Sequence, residues 1–113
     1  MKFSSALKLN HIFRRLYATK GIADSHIVLY VRKNHLGKNR VGITVSKKLG
    51  GAVVRNRVRR RLREVYRLSE DKLTPGWDIV LVARSRCITA DFLKLSQAFL
   101  SLAERAGITE AQQ

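Results

Sequence analysis

The chain of 113 residues is short of several things, and each shortage excludes something. Cys87 is the only cysteine, so no disulfide framework holds the fold. Pro75 is the only proline, so no proline-rich linker divides the chain. No run is long and apolar enough to span a bilayer, and the N-terminus lacks the continuous apolar stretch of a secretory signal. The absences together point to the cytoplasm. The three histidines (His11, His26, His35) are scattered without ligand spacing, and no P-loop, GxGxxG or zinc pattern is present. Acids are scarcest where they would matter most for hydrolysis. Residues 1–67 hold 18 Lys/Arg against Asp24 and Glu64, a net of +16, whereas residues 68–113 hold 5 against 6 acids. Paired carboxylates for metal-assisted phosphodiester cleavage are therefore not expected near the basic region.

What is present is cationic and folded. Apolar residues make up 45% of the chain, enough for a core, and the length fits one domain. A net charge of +15, concentrated in one part, is a statement about partners. Nucleic acid leads, because each Lys/Arg–phosphate contact releases counterions. The densest segment, Arg55 to Arg67, reads RNRVRRRLREVYR, with seven Arg in thirteen positions. At ~100° per residue, Val58, Leu62, Val65 and Tyr66 share one arc, and Asn56, Arg60, Arg63 and Arg67 share the opposite one. Like charges at this spacing repel, and only Glu64 offsets them. Arginine in this number suits forked contact with phosphate better than simple solubility.

The remaining pattern predicts a first helix from Asn10, with Gly21 as its stop. Ile12 and Leu16 form its core stripe, and Phe13 and Tyr17 form a second pair turned by ~100°. Residues 26–33 and 40–46 read as two alternating strands joined by the turn NHLGKN, an antiparallel hairpin. Its polar face carries Gly42, Thr44 and Ser46 beside Tyr30. Gly50 and Gly51 lead into the Arg-rich helix, over roughly residues 52–68. Trp77 to Ala83 is apolar on both faces, as a strand covered on both sides should be. Thr89 is the expected cap of a last helix striped by Phe92, Leu95, Phe99 and Leu102, which Gly107 stops. The fold class is an α/β (α+β) sandwich with a single mixed sheet, in the order α-β-β-α-β-α. The domain is residues 1–113, with its core over about 8–106 and a frayed tail over 107–113. A groove between the aromatic pair and the hydroxyl-bearing strand face suits single-stranded nucleic acid, with bases on rings and backbone on cations.

From Val41 to Arg63 the sequence VGITVSKKLGGAVVRNRVRRRLR resembles the bacterial ribonuclease P protein subunit. The pattern is S-K-K-x-G-x-A-V-x-R-N-R-x-x-R-x-x-R, here Ser46, Lys47, Lys48, Gly50, Ala52, Val53, Arg55, Asn56, Arg57, Arg60 and Arg63. The strands IVLYV, VGITVS and WDIVLVAR extend the likeness over roughly residues 8–106. The resemblance implies a fold shared with a domain of small ribosomal subunit protein 5, including a left-handed βαβ crossover. It implies as partners a catalytic RNA subunit and precursor tRNA, with no membrane and no small-molecule substrate. The RNA would remove the 5′ leader in a magnesium-dependent hydrolysis, so the protein itself would bind no cofactor or metal and carry no catalytic residue. The implied leader cleft is Phe13, Tyr17, Tyr30, Thr44 and Ser46. The implied RNA-binding set is Lys47, Lys48, Arg55, Asn56, Arg57, Arg60 and Arg63, joined by Arg59 and Arg67 of the same run. Tyr17 stands where the family often has Phe. A competing expectation is a structural RNA-binding protein such as a ribosomal component, which would not need aromatics facing a groove.

Overall fold

The computed structural model describes residues 4–6 and 10–110, with side chains from Arg14 onward. Its elements are β1 (Ser4–Ala6), α1 (Asn10–Tyr17), β2 (Ile22–Ala23), β3 (Ile27–Lys33), β4 (Asn39–Thr44), α2 (Ala52–Ser69), β5 (Trp77–Ala83) and α3 (Phe92–Ala106). One mixed sheet runs in the order β1-β4-β5-β3-β2. β5 is parallel to β4 and antiparallel to β3.

The expected hairpin between β3 and β4 is therefore wrong, because β5 lies between them. The physical reason is in β5 itself. Ile79, Val80 and Leu81 are fully buried, and a strand with two apolar faces is stable only inside a sheet with both faces covered. The turn after β3 straddles its entry instead of closing a hairpin. The Asn34 N–H donates to Gly76 O, and the Trp77 N–H donates to Asn39 Oδ1 at 2.8 Å. The short strands β1 and β2 extend the expected order at both edges.

α2 and α3 cover one face. Val58, Leu62, Val65 and Tyr66 of α2 are buried, as their spacing predicts. They meet Leu95, Phe99 and Leu102 of α3 and Ile27, Leu29, Ile79 and Leu81 of the sheet in one core. Tyr66 and Phe99 sit edge to face with centroids 5.9 Å apart. α1 covers the other face, where Leu16 is buried on Val80 beside Tyr30 and Val82. The side chains of Ile12 and Phe13 lie outside the described residues.

Helix and tail boundaries also differ from the sequence expectation. α1 stops at Tyr17 rather than near Gly21, because the Thr19 hydroxyl takes the Leu16 carbonyl at 2.6 Å. α3 is capped by Asp91, not Thr89, with Asp91 Oδ1 accepting the Lys94 N–H at 2.8 Å. The chain after Gly107 is not frayed throughout. Ile108 is fully buried, Thr109 is 4% exposed, and Thr74 N–H donates to Ile108 O. Residues 111–113 lie outside the described residues.

Two predictions follow the packing. Leu62→Ala should cost about 2–5 kcal/mol in urea unfolding. Arg63→Ala, on the opposite arc, should stay within about 0.5 kcal/mol. Equal costs would contradict the assignment of faces. Cys87 is fully buried and its Sγ donates to His26 O at 2.9 Å. Burial pushes its thiol above the ordinary range. It should resist a thiol reagent at neutral pH in the native protein and react fully in denaturant. Fast native labelling would contradict that placement.

Candidate nucleic-acid interface

Strand register arranges the α1-side face of the sheet into rows. Thr44, Val82 and Val28 form one row, and Gly42, Val80 and Tyr30 the next. Arg40, Asp78 and Arg32 form the third. α1 lies over the first two rows through Leu16. The next residue, Tyr17, turns outward and is 42% exposed. Its ring stands edge-on to Tyr30 at 5.1 Å, and its hydroxyl is 3.1 Å from Thr44 Oγ1. A hydroxyl pair and two fixed rings thus span the face from helix to β4.

Gly21 belongs to this arrangement rather than to the helix end. A Cβ there would fall 2.8 Å from Tyr30 Cε1, so a side chain would displace the ring. Phe13 sits on α1 four residues before Tyr17, but its side chain is outside the described residues. Ser46 lies beyond the strand in which the sequence places it. β4 ends at Thr44, and the exposed Ser46 instead caps a 3₁₀ turn, Lys47–Leu49, accepting the Lys48 N–H at 3.0 Å.

That turn carries the sheet face into the basic surface. Lys47 and Lys48 are exposed on it. Gly50 follows at φ 144°, a backbone conformation that favours glycine, and α2 starts at Ala52. No acid occupies the first turn of α2, so the positive end of its dipole adds to the lysines. Asn56, Arg57, Arg60, Arg63 and Arg67 are exposed along the outer arc.

The arginines are not equivalent. Arg59 Nη1 donates to Asn56 Oδ1 at 3.0 Å, which orients both side chains. Arg67 bonds Glu64 through Nε at 3.0 Å and holds that carboxyl below the usual carboxylate range. Arg55 is half-buried, and its Nε is shielded from solvent without a protein acceptor. Arg61 points away from the outer arc, to the carbonyls of Cys87 and Ala90 before α3. It ties α2 to that loop, a role its place within a charge run conceals. Val53 was not expected as a surface residue, yet it is 81% exposed at the start of α2 among these cations.

The acids near these surfaces are already engaged. Asp24 Oδ1 takes the backbone N–H groups of His26 and Ile27. Asp78 is bound by Arg40 and Asn34, and Glu64 by Arg67. What this arrangement can do is bind. It offers rings and hydroxyls on a sheet face that leads into an arc of guanidinium groups. Among the described residues no helix is long and apolar enough to cross a membrane.

Known proteins share both sequence and architecture. The family model Ribonuclease P matches residues 1–107. The ribonuclease P protein component of Alkaliphilus oremlandii is 39% identical over 109 residues, which cover 96% of each chain. That of Clostridioides difficile is 41% identical over 108 residues, 94% of this chain and 95% of its own. The solved RNase P protein of Staphylococcus aureus superposes with a TM-score of 0.82 at 29% identity, over 93% of this chain and 97% of that one. The protein from Thermotoga maritima gives 0.80 at 30% identity, over 88% and 96%. The chain belongs to the ribonuclease P protein component family, the RNA-binding part of a tRNA-processing ribonucleoprotein.

Proposed function

We propose that this chain docks on the catalytic RNA subunit of ribonuclease P through the outer arc of α2 and the turn before it. It then holds the single-stranded 5′ leader of precursor tRNA against the Tyr17–Tyr30–Thr44 face. The RNA supplies the hydrolysis with its magnesium, and the chain itself binds no cofactor and acts in the cytoplasm. Its side chains bind and orient; Lys47, Lys48, Arg55, Asn56, Arg57, Arg59, Arg60, Arg63 and Arg67 meet RNA phosphates, and Phe13 joins the leader face.

The carrying observation is Tyr17. An aromatic needed only for packing would be buried, yet this ring is 42% exposed and fixed by Tyr30 and Thr44. A held ring loses little freedom when a base stacks on it, which favours single strands over duplex. A structural RNA-binding protein would need the α2 arc but not this face.

The first test is reconstitution at low magnesium. RNA subunit plus protein should bind and cleave precursor tRNA better than RNA alone, and no gain would sink the proposal. Within the holoenzyme, Phe13→Ala and Tyr17→Ala should each weaken precursor binding by about 1–3 kcal/mol, roughly five- to 150-fold. Mature tRNA binding should hold, and equal losses on both would refute the leader face. Arg60→Ala should weaken binding to the RNA subunit and flatten its salt dependence by about one phosphate contact. Arg61→Ala should instead lower folding stability, because it frees two carbonyls before α3. An unchanged salt slope for Arg60→Ala would count against direct phosphate contact.

A further inference from the structure

The third row of the sheet face, Arg40, Asp78 and Arg32, has no part in the groove described above. Asp78 is 4% exposed and sits between two arginines in register, Arg40 on β4 and Arg32 on β3. Arg40 grips it with both prongs, Nε to Oδ1 and Nη2 to Oδ2, each at 2.7 Å. Asn34 Nδ2 adds a third bond at 3.0 Å. A buried carboxylate fixed this way is a staple between β4 and β5, and that accounts for Asp78.

It does not account for the rest of the row. Arg40 Nη1 makes no bond to the carboxylate, and the Arg40 side chain remains 24% exposed. Its guanidinium plane is already fixed, and Nη1 has no acceptor among the described residues. Arg32 is exposed and forms no ion pair with Asp78 or any other acid among the described residues. One carboxylate thus faces two guanidinium groups, and the row keeps a surplus positive charge. The acids at this end lie elsewhere. Glu70, Asp71 and Glu110 line a pocket against Asn39, whose place in the strand alternation is opposite that of Arg40.

Position gives the row its meaning. β4 leads from Arg40 through Gly42 and Thr44 to Lys47, Lys48 and α2. The RNA-docking surface is at one end of the strand and the Arg40–Arg32 row at the other. Thr44 lies four positions beyond Arg40, ~13 Å at ~3.3 Å per residue. Gly42 places no side chain between them. A single strand lying on Tyr17 and Tyr30 and leaving the docking end would reach this row within a few nucleotides.

We infer that Arg32 and Arg40 form a distal phosphate subsite for the leader, with Asp78 orienting Arg40. The subsite rests on the leader-face reading and extends it to the nucleotides farther from the cleavage point. It also sets the direction of the leader, away from α2 and along β4.

The test uses the reconstituted holoenzyme and precursor tRNAs whose leaders lengthen one nucleotide at a time. Wild-type affinity should rise as the leader covers the rings and rise again when it reaches the row. Arg32→Ala should lose about two- to fivefold, on long leaders only, since exposed ion pairs are weak. Arg32→Glu should lose more on the same substrates. Arg40→Lys keeps a charge beside Asp78 but loses the fork, and should show the same dependence on length. Short-leader precursor and mature tRNA should bind all three variants as wild type, which also reports correct folding. If the Arg32 variants match wild type at every length, or lose equally on mature tRNA, the subsite is wrong. If wild type gains nothing from any leader, the underlying leader-face reading fails first.

Discussion

Everything in this molecule is positioned by the burial of β5 on both faces. Ile79, Leu81 and Ala83 lie under α2 and α3, and Val80 lies under Leu16 of α1. Each side needs the other. Without α1, Val80 and Val82 would face water, and without α2 and α3 the larger core would not close. Because β5 is central, β3 and β4 flank it and their outward rows fall into register. That register brings Tyr30 from one strand and Thr44 from another under the exposed ring of Tyr17.

The second constraint is charge. Seven arginines on one helix would repel, and the helix survives because packing of Val58, Leu62, Val65 and Tyr66 holds it. Three of the seven are also engaged within the protein, Arg59 with Asn56. Arg61 bonds loop carbonyls and Arg67 bonds Glu64. The repulsion that remains falls mainly on exposed Arg57, Arg60 and Arg63, and RNA bound on this arc as proposed would relieve it. Stability and the proposed binding are therefore separable on this helix, since the inner arc serves the fold and the outer arc is left to solvent.

Much of this was readable from the residues, and the failures have physical causes. The arcs of α2, the burial of Trp77–Ala83 and the outward turn of Tyr17 follow from periodicity. The hairpin failed because a short polar turn says only that the chain reverses. It does not say whether another strand enters between the two arms, and β5 does so from 38 positions beyond Asn39. The strand expected to reach Ser46 ends at Thr44, because the Ser46 hydroxyl caps a turn, a local bond that strand alternation cannot foresee. The α3 cap failed for a similar reason, since Thr89 and Asp91 are both chemically fit and geometry chose Asp91. Alternation puts Arg32 on the same face as Tyr30, but its place across from Asp78 needed the sheet order. Arg61 could not be separated from its neighbours until the loop before α3 was placed.

The central claim is that two surfaces of one small domain meet two different RNAs. Cys87 is buried, so a single introduced thiol can be labelled selectively with a photo-crosslinker. Tyr17→Cys and Arg63→Cys, labelled separately and assembled with the RNA subunit and precursor tRNA, would test the claim most directly. The account predicts crosslinks from position 17 to leader nucleotides and from position 63 to the RNA subunit. Crosslinks from both positions to the same RNA strand, or the reverse assignment, would contradict it.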